Sequence, residues 1–284
     1  MSAVAVPVSR WSPAVRVTFP RVVAAEWRKM GSLRSTWWTL GVFVVVHAGF
    51  GAMYGLSLRL AAQRGQTLDQ TQGVAASWVG ITLTQLALVV LAVLTITAEY
   101  SSGQIRNTLM AVPTRTPVLA AKVVVLVAVT LVAAAVACLA SVGLAALVGR
   151  DHVQFTLSTG QTVWQLAAGP LYLAGIVLFG FAAGALIRNS AAAMATIVAL
   201  LLIVQNVLAD LPFYLTKVIA PWLPGLAGEQ MFFTDADLAR ARATAASQSD
   251  PGAILNQWQG FVVLLAWGVV FWVLAVVLLR RRDA

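Results

Sequence analysis

Six long apolar segments constrain the fold of this chain more than any other feature. They lie roughly at residues 37–58, 78–98, 118–148, 164–187, 191–211 and 260–279. An α-helix rises 1.5 Å per residue, so about 20 apolar residues cross the roughly 30 Å hydrocarbon core of a bilayer. Strands of a membrane β-barrel would alternate apolar and polar residues, and these segments do not. We therefore predict an all-α integral membrane protein with six transmembrane helices.

The composition agrees with this class and limits the chemistry available. Only 10% of the residues are charged, against about 25% in a soluble domain. The single cysteine, Cys138, lies inside an apolar segment and has no partner for a disulfide. The only histidines, His47 and His152, lie in different segments, and no HExxH motif occurs. We expect no metal site and no catalytic site in this chain.

The basic residues indicate how the chain is oriented. With both termini on one side, 13 of the 19 Lys and Arg residues fall on that side. The remaining six lie on the opposite side, namely Arg59, Arg64, Arg150, Lys217, Arg240 and Arg242. Cytoplasmic loops carry the excess of basic residues, so we predict that both termini are cytoplasmic. The net charge of +9 then reflects topology and contact with anionic membrane lipids, and it requires no nucleic acid partner.

Residues 1–36 precede the first span, and part of this segment has the pattern of an amphipathic helix. Thr18 can cap the helix, and Pro20 suits its first turn. Apolar residues recur at spacings of three and four, at Phe19, Val23, Trp27, Met30 and Leu33. Polar residues fall on the other side, at Arg21, Arg28, Lys29 and Ser32. We predict an interfacial helix on the cytoplasmic face, with a purely passive anchor as the alternative.

The longest loop, residues 212–259, connects the fifth and sixth spans on the opposite side. Its first half is apolar but is interrupted by Pro212, Pro221, Pro224 and Gly225. Such a segment cannot span a membrane, so we expect short re-entrant helices that the bundle buries. Residues 234–251 are more polar, and we predict a solvated loop there.

A polar segment, residues 98–122, separates the second and third spans. Ser101 or Ser102 can cap a short helix that Pro113 would end. The apolar face of this helix would hold Ile105, Leu109 and Val112. The segment either presents an apolar strip with basic edges to a partner outside the membrane or is a solvated turn.

Glu99 lies at the boundary between the second span and this polar segment. Arg106 follows seven residues later, which returns it to about the same helix face. We therefore predict an ion pair that neutralises Glu99 at the membrane boundary.

The order of residues in the polar segment resembles the signature of type-2 ABC exporter permeases. The matching residues are Glu99, Gly103, Arg106, Leu109, Pro113, Arg115 and Lys122. Gln104 stands where a threonine usually follows the glycine. The six spans, the interfacial helix and the broken outer loop resemble the same family, so the likeness covers nearly the whole chain. It implies a single permease domain over residues 1–284 in a bacterial plasma membrane.

The resemblance implies that a separate ATP-binding subunit docks on the cytoplasmic face. The coupling helix that receives it would include Glu99, Gly103, Ile105, Arg106, Leu109, Pro113 and Arg115. Candidate contacts on the interfacial helix are Arg21, Trp27, Arg28 and Lys29. Lipid headgroup binding is the alternative for these four residues. The sequence contains no GxxxxGK[ST] phosphate loop, so ATP and Mg²⁺ would be bound by the partner and this chain would need no cofactor.

The resemblance also implies a substrate pathway between two permease subunits, which are either identical or homologous. Polar residues of the second and fifth spans would face it, namely Thr84, Gln85, Thr196, Gln205 and Asn206. Ordinary hydrogen bonding between helices is the alternative for these residues. A largely apolar pathway suits a drug, an antibiotic or a lipid-like amphipathic cargo. The absence of a carboxylate deep in any apolar segment disfavours a proton-coupled antiporter.

Two other functions are compatible with the sequence. A subunit of the same fold could serve in immunity or sensing without transporting a substrate. An intramembrane enzyme would need a nucleophile and a base at membrane depth, and His47 with Ser141 is the pair that the sequence offers.

Glycines spaced four residues apart predict where helices approach each other closely. Gly51 and Gly55 form one such stripe in the first span, and Gly180 and Gly184 form another in the fourth. Because glycine has no side chain, each stripe allows a neighbouring helix to pack tightly.

Overall fold

The computed structural model describes residues 18–66, 72–105, 110, 116–150, 160–211, 214–248 and 252–281. All six predicted spans are present as helices. They are Arg34–Gln63 (α2), Ile81–Ser101 (α4), Thr116–Gly149 (α5), Gly160–Ile187 (α6), Ser190–Asp210 (α7) and Gln257–Arg281 (α11). Each is long and apolar enough to cross a membrane, which confirms the all-α, six-span prediction.

Shorter α-helices connect or precede these spans. They are Phe19–Ser32 (α1), Gln72–Ala75 (α3), Tyr214–Ile219 (α8), Pro224–Glu229 (α9) and Asp235–Gln248 (α10). Helix α1 lies beside the last turn of α4 and the first turns of α5. We call this end of the bundle the α1 end; helices α8 to α10 lie at the opposite end.

Helix α6 is the centre of the bundle. It packs against α4, α5 and α11, and apolar residues occupy nearly its whole circumference, which is the pattern of a buried helix. Tyr172, Phe179 and Phe181 of this helix are among the largest fully buried side chains. Helices α7 and α11 instead leave most of their apolar surface exposed, so this surface is available to lipid or to another subunit.

Helices α2 and α5 pack closely because glycines of α2 face α5. A Cβ atom at Gly51 would overlap Ser141, and Gly55 faces α5 one turn later in the same way. The second stripe faces α4, where a Cβ atom at Gly184 would lie 3.0 Å from Ile96. The close packing predicted from the small residues is therefore confirmed.

Helix α7 contains a π-helical segment, Ala199–Val204, between two α-helical parts. Its buried residues are spaced four apart, at Ala193, Ile197, Leu201 and Gln205. Each step of four rotates an α-helix by about 40°, so three steps would turn this stripe by about 120°. A π-helix closes i→i+5 hydrogen bonds and holds more residues per turn. The π segment therefore cancels the rotation and keeps Gln205 on the buried side.

Helix α1 is present where the sequence predicts it, but it is rotated relative to the predicted apolar face. Val22 and Met30 are the residues that it buries against the bundle. Thr18 precedes the helix with an extended backbone, and its side chain makes no capping hydrogen bond. About half of the surface is exposed for three predicted apolar-face residues, Phe19, Trp27 and Leu33. These three residues are available to the membrane interface.

The outer loop enters the bundle through α9, as predicted. Pro224, Gly225, Ala227 and Gly228 are buried, and α9 packs against α6 and α11. Surrounding protein therefore buries the backbone of this short, interrupted segment.

The prediction of a solvated loop over residues 234–251 is wrong for Asp235–Gln248, which forms α10. The N–H of Asp237 donates to Thr234 Oγ1 at 3.0 Å, and the N–H of Thr234 donates to Asp237 Oδ2 at 3.0 Å. This reciprocal capping box starts the helix. Most side chains of α10 are exposed, so the solvated character of this region was predicted correctly.

Candidate functional site

Four charged side chains meet at the α1 end and form what we call the charge cluster: Glu26, Lys29, Glu99 and Lys122. The Lys122 ammonium group donates to Glu26 Oε2 at 2.7 Å and to Glu99 Oε1 at 2.5 Å. Lys29 Nζ also pairs with Glu99 Oε1. The side chains of Lys122 and Glu99 are only 1% and 3% exposed. The cluster is therefore a largely buried, charge-balanced group.

The charge cluster joins three helices. Glu26 and Lys29 lie one turn apart on α1, so their side chains share a face. Glu99 belongs to the last turn of α4, and Lys122 belongs to the second turn of α5. Residues 102–115 connect these last two helices. The cluster therefore links α1 to both ends of the polar segment that the sequence singled out.

Burial makes the charge cluster sensitive to the loss of any member. A charge removed from water is stable only when it is paired, and removing one partner leaves the other uncompensated. Glu99 Oε1 accepts from both lysines, whereas the buried Glu99 Oε2 has no hydrogen-bond partner in the part of the chain that the structure describes.

The sequence did not reveal the two lysine partners of Glu99. Arg106, the predicted partner, lies outside the described residues, so that pair stays a prediction. One available signal was Lys122 itself, because a lysine inside an apolar span is stable only beside a counter-charge.

Tyr100, the neighbour of Glu99, connects the same end of α4 to another part of the bundle. The Arg188 guanidinium lies 5.0 Å from the centre of the Tyr100 ring. Arg188 has a positive φ of 59° and occupies the short turn between α6 and α7. Asn189 Oδ1 then caps α7 by accepting from the N–H of Ala192 at 2.9 Å. Two adjacent residues of α4, Glu99 and Tyr100, thus contact α1, α5 and the turn between α6 and α7.

Gly103 ends α4 with a positive φ of 71°. The hydroxyls of Ser101 and Ser102 both donate to the carbonyl oxygen of Ala98, at 3.1 Å and 2.8 Å. These serines therefore complete α4, whereas the sequence predicted that one of them would cap the following helix. The backbone turns at Gly103 because only glycine adopts this conformation without a steric penalty.

The predicted coupling helix is described only in part. Gln104, Ile105 and Met110 have helical backbone. Ile105 is buried in the core of this chain, so it is not displayed to a partner, whereas Met110 is 72% exposed. The other predicted coupling residues, Arg106, Leu109, Pro113 and Arg115, lie outside the described residues, as does Val112.

The candidate contacts on α1 have different surroundings. Arg21, Trp27 and Arg28 are exposed, and Arg28 Nε donates to the Ala24 carbonyl oxygen of its own helix at 3.2 Å. Lys29 is half-buried in the charge cluster. The exposed residues are accessible from outside the protein, whereas Lys29 acts within it.

Two predicted pathway residues of α4 take part in hydrogen bonds between helices. Thr84 Oγ1 lies 3.0 Å from His47 Nδ1, and the Tyr172 hydroxyl donates to Gln85 Oε1 at 2.9 Å. Thr84 and Gln85 are both buried. Interhelical hydrogen bonding, which the sequence left as the alternative, therefore accounts for both residues.

The predicted pathway residues of α7 divide between two faces. Gln205 is buried, and its amide lies where a Cβ atom at Gly225 would be. Thr196 and Asn206 lie on the exposed surface of α7. Of the five predicted pathway residues, only these two face outward from the chain.

His47 and Ser141 hold a buried loop and do not form a catalytic pair. His47 Nε2 lies 3.1 Å from the carbonyl oxygen of Ser77, and the Ser141 hydroxyl donates to the carbonyl oxygen of Ala76 at 2.5 Å. Ala76 and Ser77 are fully buried between α2 and α4, which the sequence did not indicate. The two side chains therefore satisfy backbone carbonyls that the protein buries.

Comparison with known protein families gives a match over nearly the whole chain. Residues 21–284 match a family model described as ABC-2 family transporter protein. The matched region contains the six spans and all four residues of the charge cluster. No curated protein matches the sequence.

Proposed function

The chain belongs to the ABC-2 family of transporter proteins, and we propose that it is the membrane-spanning subunit of an ATP-driven exporter. A separate subunit would bind and hydrolyse ATP and Mg²⁺. The proposed cargo is an amphipathic drug, antibiotic or lipid-like molecule. The observation that carries the proposal is the charge cluster, which ties α1 to both helices that flank residues 102–115.

A partner that pushed on residues 102–115 would act on the bundle by three connections. Glu99 and Lys122 would carry the motion to α4 and α5, and Glu26 would carry it to α1. Tyr100 and Arg188 would carry it to the turn before α7. Met110 is an exposed apolar residue in the same segment and is suited to contact such a partner.

The substrate pathway would form where two copies of this chain, or this chain and a homologue, face each other. The apolar surface of α7 supports this location, because Ile203 and Val207 are 59% and 51% exposed. Thr196 and Asn206 are the polar pathway candidates on that surface. A mostly apolar lining with a few hydroxyl and amide groups favours amphipathic cargo.

The proposed orientation places the α1 end in the cytoplasm of a bacterial cell. The excess of basic residues on this side of the chain supports the assignment. ATP is available only on that side, so the ATPase subunit would dock there.

Inside-out vesicles of native membranes test the transport function. We expect ATP-dependent uptake of a fluorescent amphipathic dye or labelled phospholipid from a panel, and no such uptake in vesicles that lack this chain. Glu99→Gln should abolish uptake while the protein remains in the membrane, and Arg240→Gln at the opposite end should not. Equal uptake with and without the chain would contradict export and favour an immunity or sensing role.

A further inference from the structure

A membrane-facing groove lies between α1, α2 and α5. Its volume is about 560 Å³, which falls in the range of small-molecule sites. Apolar side chains and glycines form its walls, including Met30, Trp37, Gly41, Val45, Val132 and Ala133. We call it the α1 groove.

The α1 groove shares a wall with the charge cluster. A second cavity, of about 290 Å³, is lined by Glu99 and Lys122 of the charge cluster. Met30 and Thr36 line both this cavity and the α1 groove. Both of these wall residues are buried. Met30 of α1 and Thr36 of α2 therefore border both the α1 groove and the cavity beside the charge cluster.

The surroundings of the α1 groove change from charged to apolar along α2. Arg34, Trp37, Gly41 and Val45 follow one another at spacings of three and four, so they lie along one face of the helix. The Arg34 side chain is exposed, and none of the described residues accepts a hydrogen bond from its guanidinium or forms an ion pair with it. The distance from Trp37 to Val45 along the helix is about 12 Å, close to the depth of one hydrocarbon leaflet.

Exposed tryptophans mark the mouth of the α1 groove as the level of the membrane interface. Trp27, Trp37 and Trp38 are 53%, 64% and 75% exposed. Tryptophan is enriched where the hydrocarbon core meets the headgroups, and arginine beside it attracts anionic headgroups. The groove therefore runs from the headgroup level into the hydrocarbon.

We propose that the α1 groove is a binding site for one anionic phospholipid of the leaflet on the α1 side. One acyl chain lies between α2 and α5, and the phosphate lies at Arg34. A lipid fits this site better than a protein segment, because the groove combines a basic mouth, a tryptophan belt and an apolar floor in the order of a bilayer leaflet. The site is independent of the exporter function proposed above.

Two glycines of α2 provide a matched pair of variants. Among the described residues, a Cβ atom at Gly41 or at Gly49 meets no other atom within 4 Å, so a side chain can begin at either position without a clash. Gly41 lines the groove and Gly49 does not. Gly41→Leu therefore fills the groove, whereas Gly49→Leu adds the same apolar volume elsewhere on the same helix.

Native mass spectrometry of the full chain, reconstituted with phosphatidylglycerol and then transferred to detergent, measures the lipid that stays bound. We expect one phosphatidylglycerol per chain for the wild type and for Gly49→Leu, and at least a tenfold loss of this species for Gly41→Leu. Equal retention by the two variants would overturn the proposal. The proposal would also be overturned if Gly41→Leu changed the number of subunits in the complex but not the amount of bound lipid. That result would show that another protein chain occupies the groove.

Arg34 is tested by the choice of headgroup. With equal amounts of phosphatidylglycerol and phosphatidylcholine, the wild type should retain the anionic lipid in excess. Arg34→Gln should reduce that preference by about fivefold, while Arg59→Gln at the other end of α2 leaves it unchanged. A preference that is unaffected by Arg34→Gln would contradict the assignment of the phosphate to Arg34.

Discussion

Lys122 Nζ lies 2.5 Å from Glu99 Oε1, and both side chains are almost completely buried. The two residues belong to α5 and α4, the helices on either side of residues 102–115. Separating them would leave each buried charge with a single partner, Lys29 for Glu99 and Glu26 for Lys122, so the pair stabilises the relative position of these helices. Glu26 contacts the same ammonium group from α1 at 2.7 Å. We therefore expect α1, α4 and α5 to move together at the α1 end.

The first prediction concerns Lys122→Met. The substitution leaves Glu26 without its ammonium partner, while Lys29 still pairs with Glu99, so we expect a loss of about 3 kcal/mol in the free energy of unfolding. Thermal unfolding in detergent, followed by tryptophan fluorescence, measures it. Arg240→Met is the control, because that side chain is 77% exposed. A Lys122→Met variant that unfolds together with the wild type would show that the cluster does not stabilise the bundle.

The second prediction concerns the turn at Gly103. Among the described residues no atom lies within 4 Å of a Cβ atom placed there, so Gly103→Ala adds backbone strain without a clash and should cost about 1–2 kcal/mol. Gly143→Ala is matched to it, because Gly143 is equally open but helical, and it should stabilise by about 0.5–1 kcal/mol. Thermal unfolding compares the two variants. If both variants changed stability in the same direction, the left-handed conformation of Gly103 would be contradicted.

The third prediction concerns the contact of α2 with α5. Gly51→Ala would place a Cβ atom inside Ser141, including its backbone, so the helices must separate and stability should fall by about 1–3 kcal/mol. Gly49→Ala, on the same helix but facing open space, should be neutral or slightly stabilising. The difference between the two melting temperatures measures the tightness of this contact. No difference would mean that Gly51 does not set it.

The fourth prediction concerns the hydrogen bond between Tyr172 and Gln85. Tyr172→Phe removes the donor and leaves Gln85 Oε1 buried and unpaired, which should cost about 1–3 kcal/mol. Adding Gln85→Met removes the unpaired oxygen, so the double variant should be less destabilised than the sum of the single variants. A double-mutant cycle measures this coupling. Strict additivity would show that the two side chains do not interact.

The fifth prediction concerns the pH dependence of the outer loop. Burial raises the pKa of Glu229 above its ordinary value. The contribution of protonated Glu229 to the free energy of unfolding is therefore fully present below the unfolded pKa of about 4.5. It is lost as the pH rises through the higher pKa of the folded protein. Glu229→Gln should be more stable than the wild type at pH 7, and the gap should close below about pH 4.5.

The pKa of Asp237 is shifted in the opposite direction from that of Glu229. The Thr234 hydroxyl lowers the pKa of Asp237 by hydrogen bonding to its carboxylate, so its contribution is present above the unfolded pKa and is lost as the pH falls through the folded pKa. Asp237→Asn should therefore reduce stability at pH 7 and have little effect in acid. If both variants raised stability at pH 7, or both lowered it, the opposite pKa shifts assigned to Glu229 and Asp237 would be contradicted.

The sequence predicted the features that depend on local pattern. Apolar runs located the six spans, and the Gly51 stripe indicated the face of α2 that packs closely against a neighbouring helix, which the structure identifies as α5. Helix α10 was missed because its residues lack apolar periodicity. The Thr234 and Asp237 capping box was the available signal.

The partners of Glu99 could not be predicted from spacing. Lys29 and Lys122 lie 70 and 23 residues away along the chain, and only the packing of three helices brings them together. The buried position of Gln205 also depended on structure, because the π segment in α7 changes the helical repeat. The four-residue spacing of Ala193, Ile197 and Leu201 was a signal of that change.

Purification of the chain from its native membrane in mild detergent, with mass analysis of bound proteins, tests the central claim most directly. The account predicts a stoichiometric soluble subunit that carries a GxxxxGK[ST] phosphate loop. That subunit should be lost with Met110→Glu, which alters an exposed residue of the segment after α4, and kept with Arg240→Glu at the opposite end. Recovery of the chain without such a subunit, or equal binding by both variants, would contradict the account.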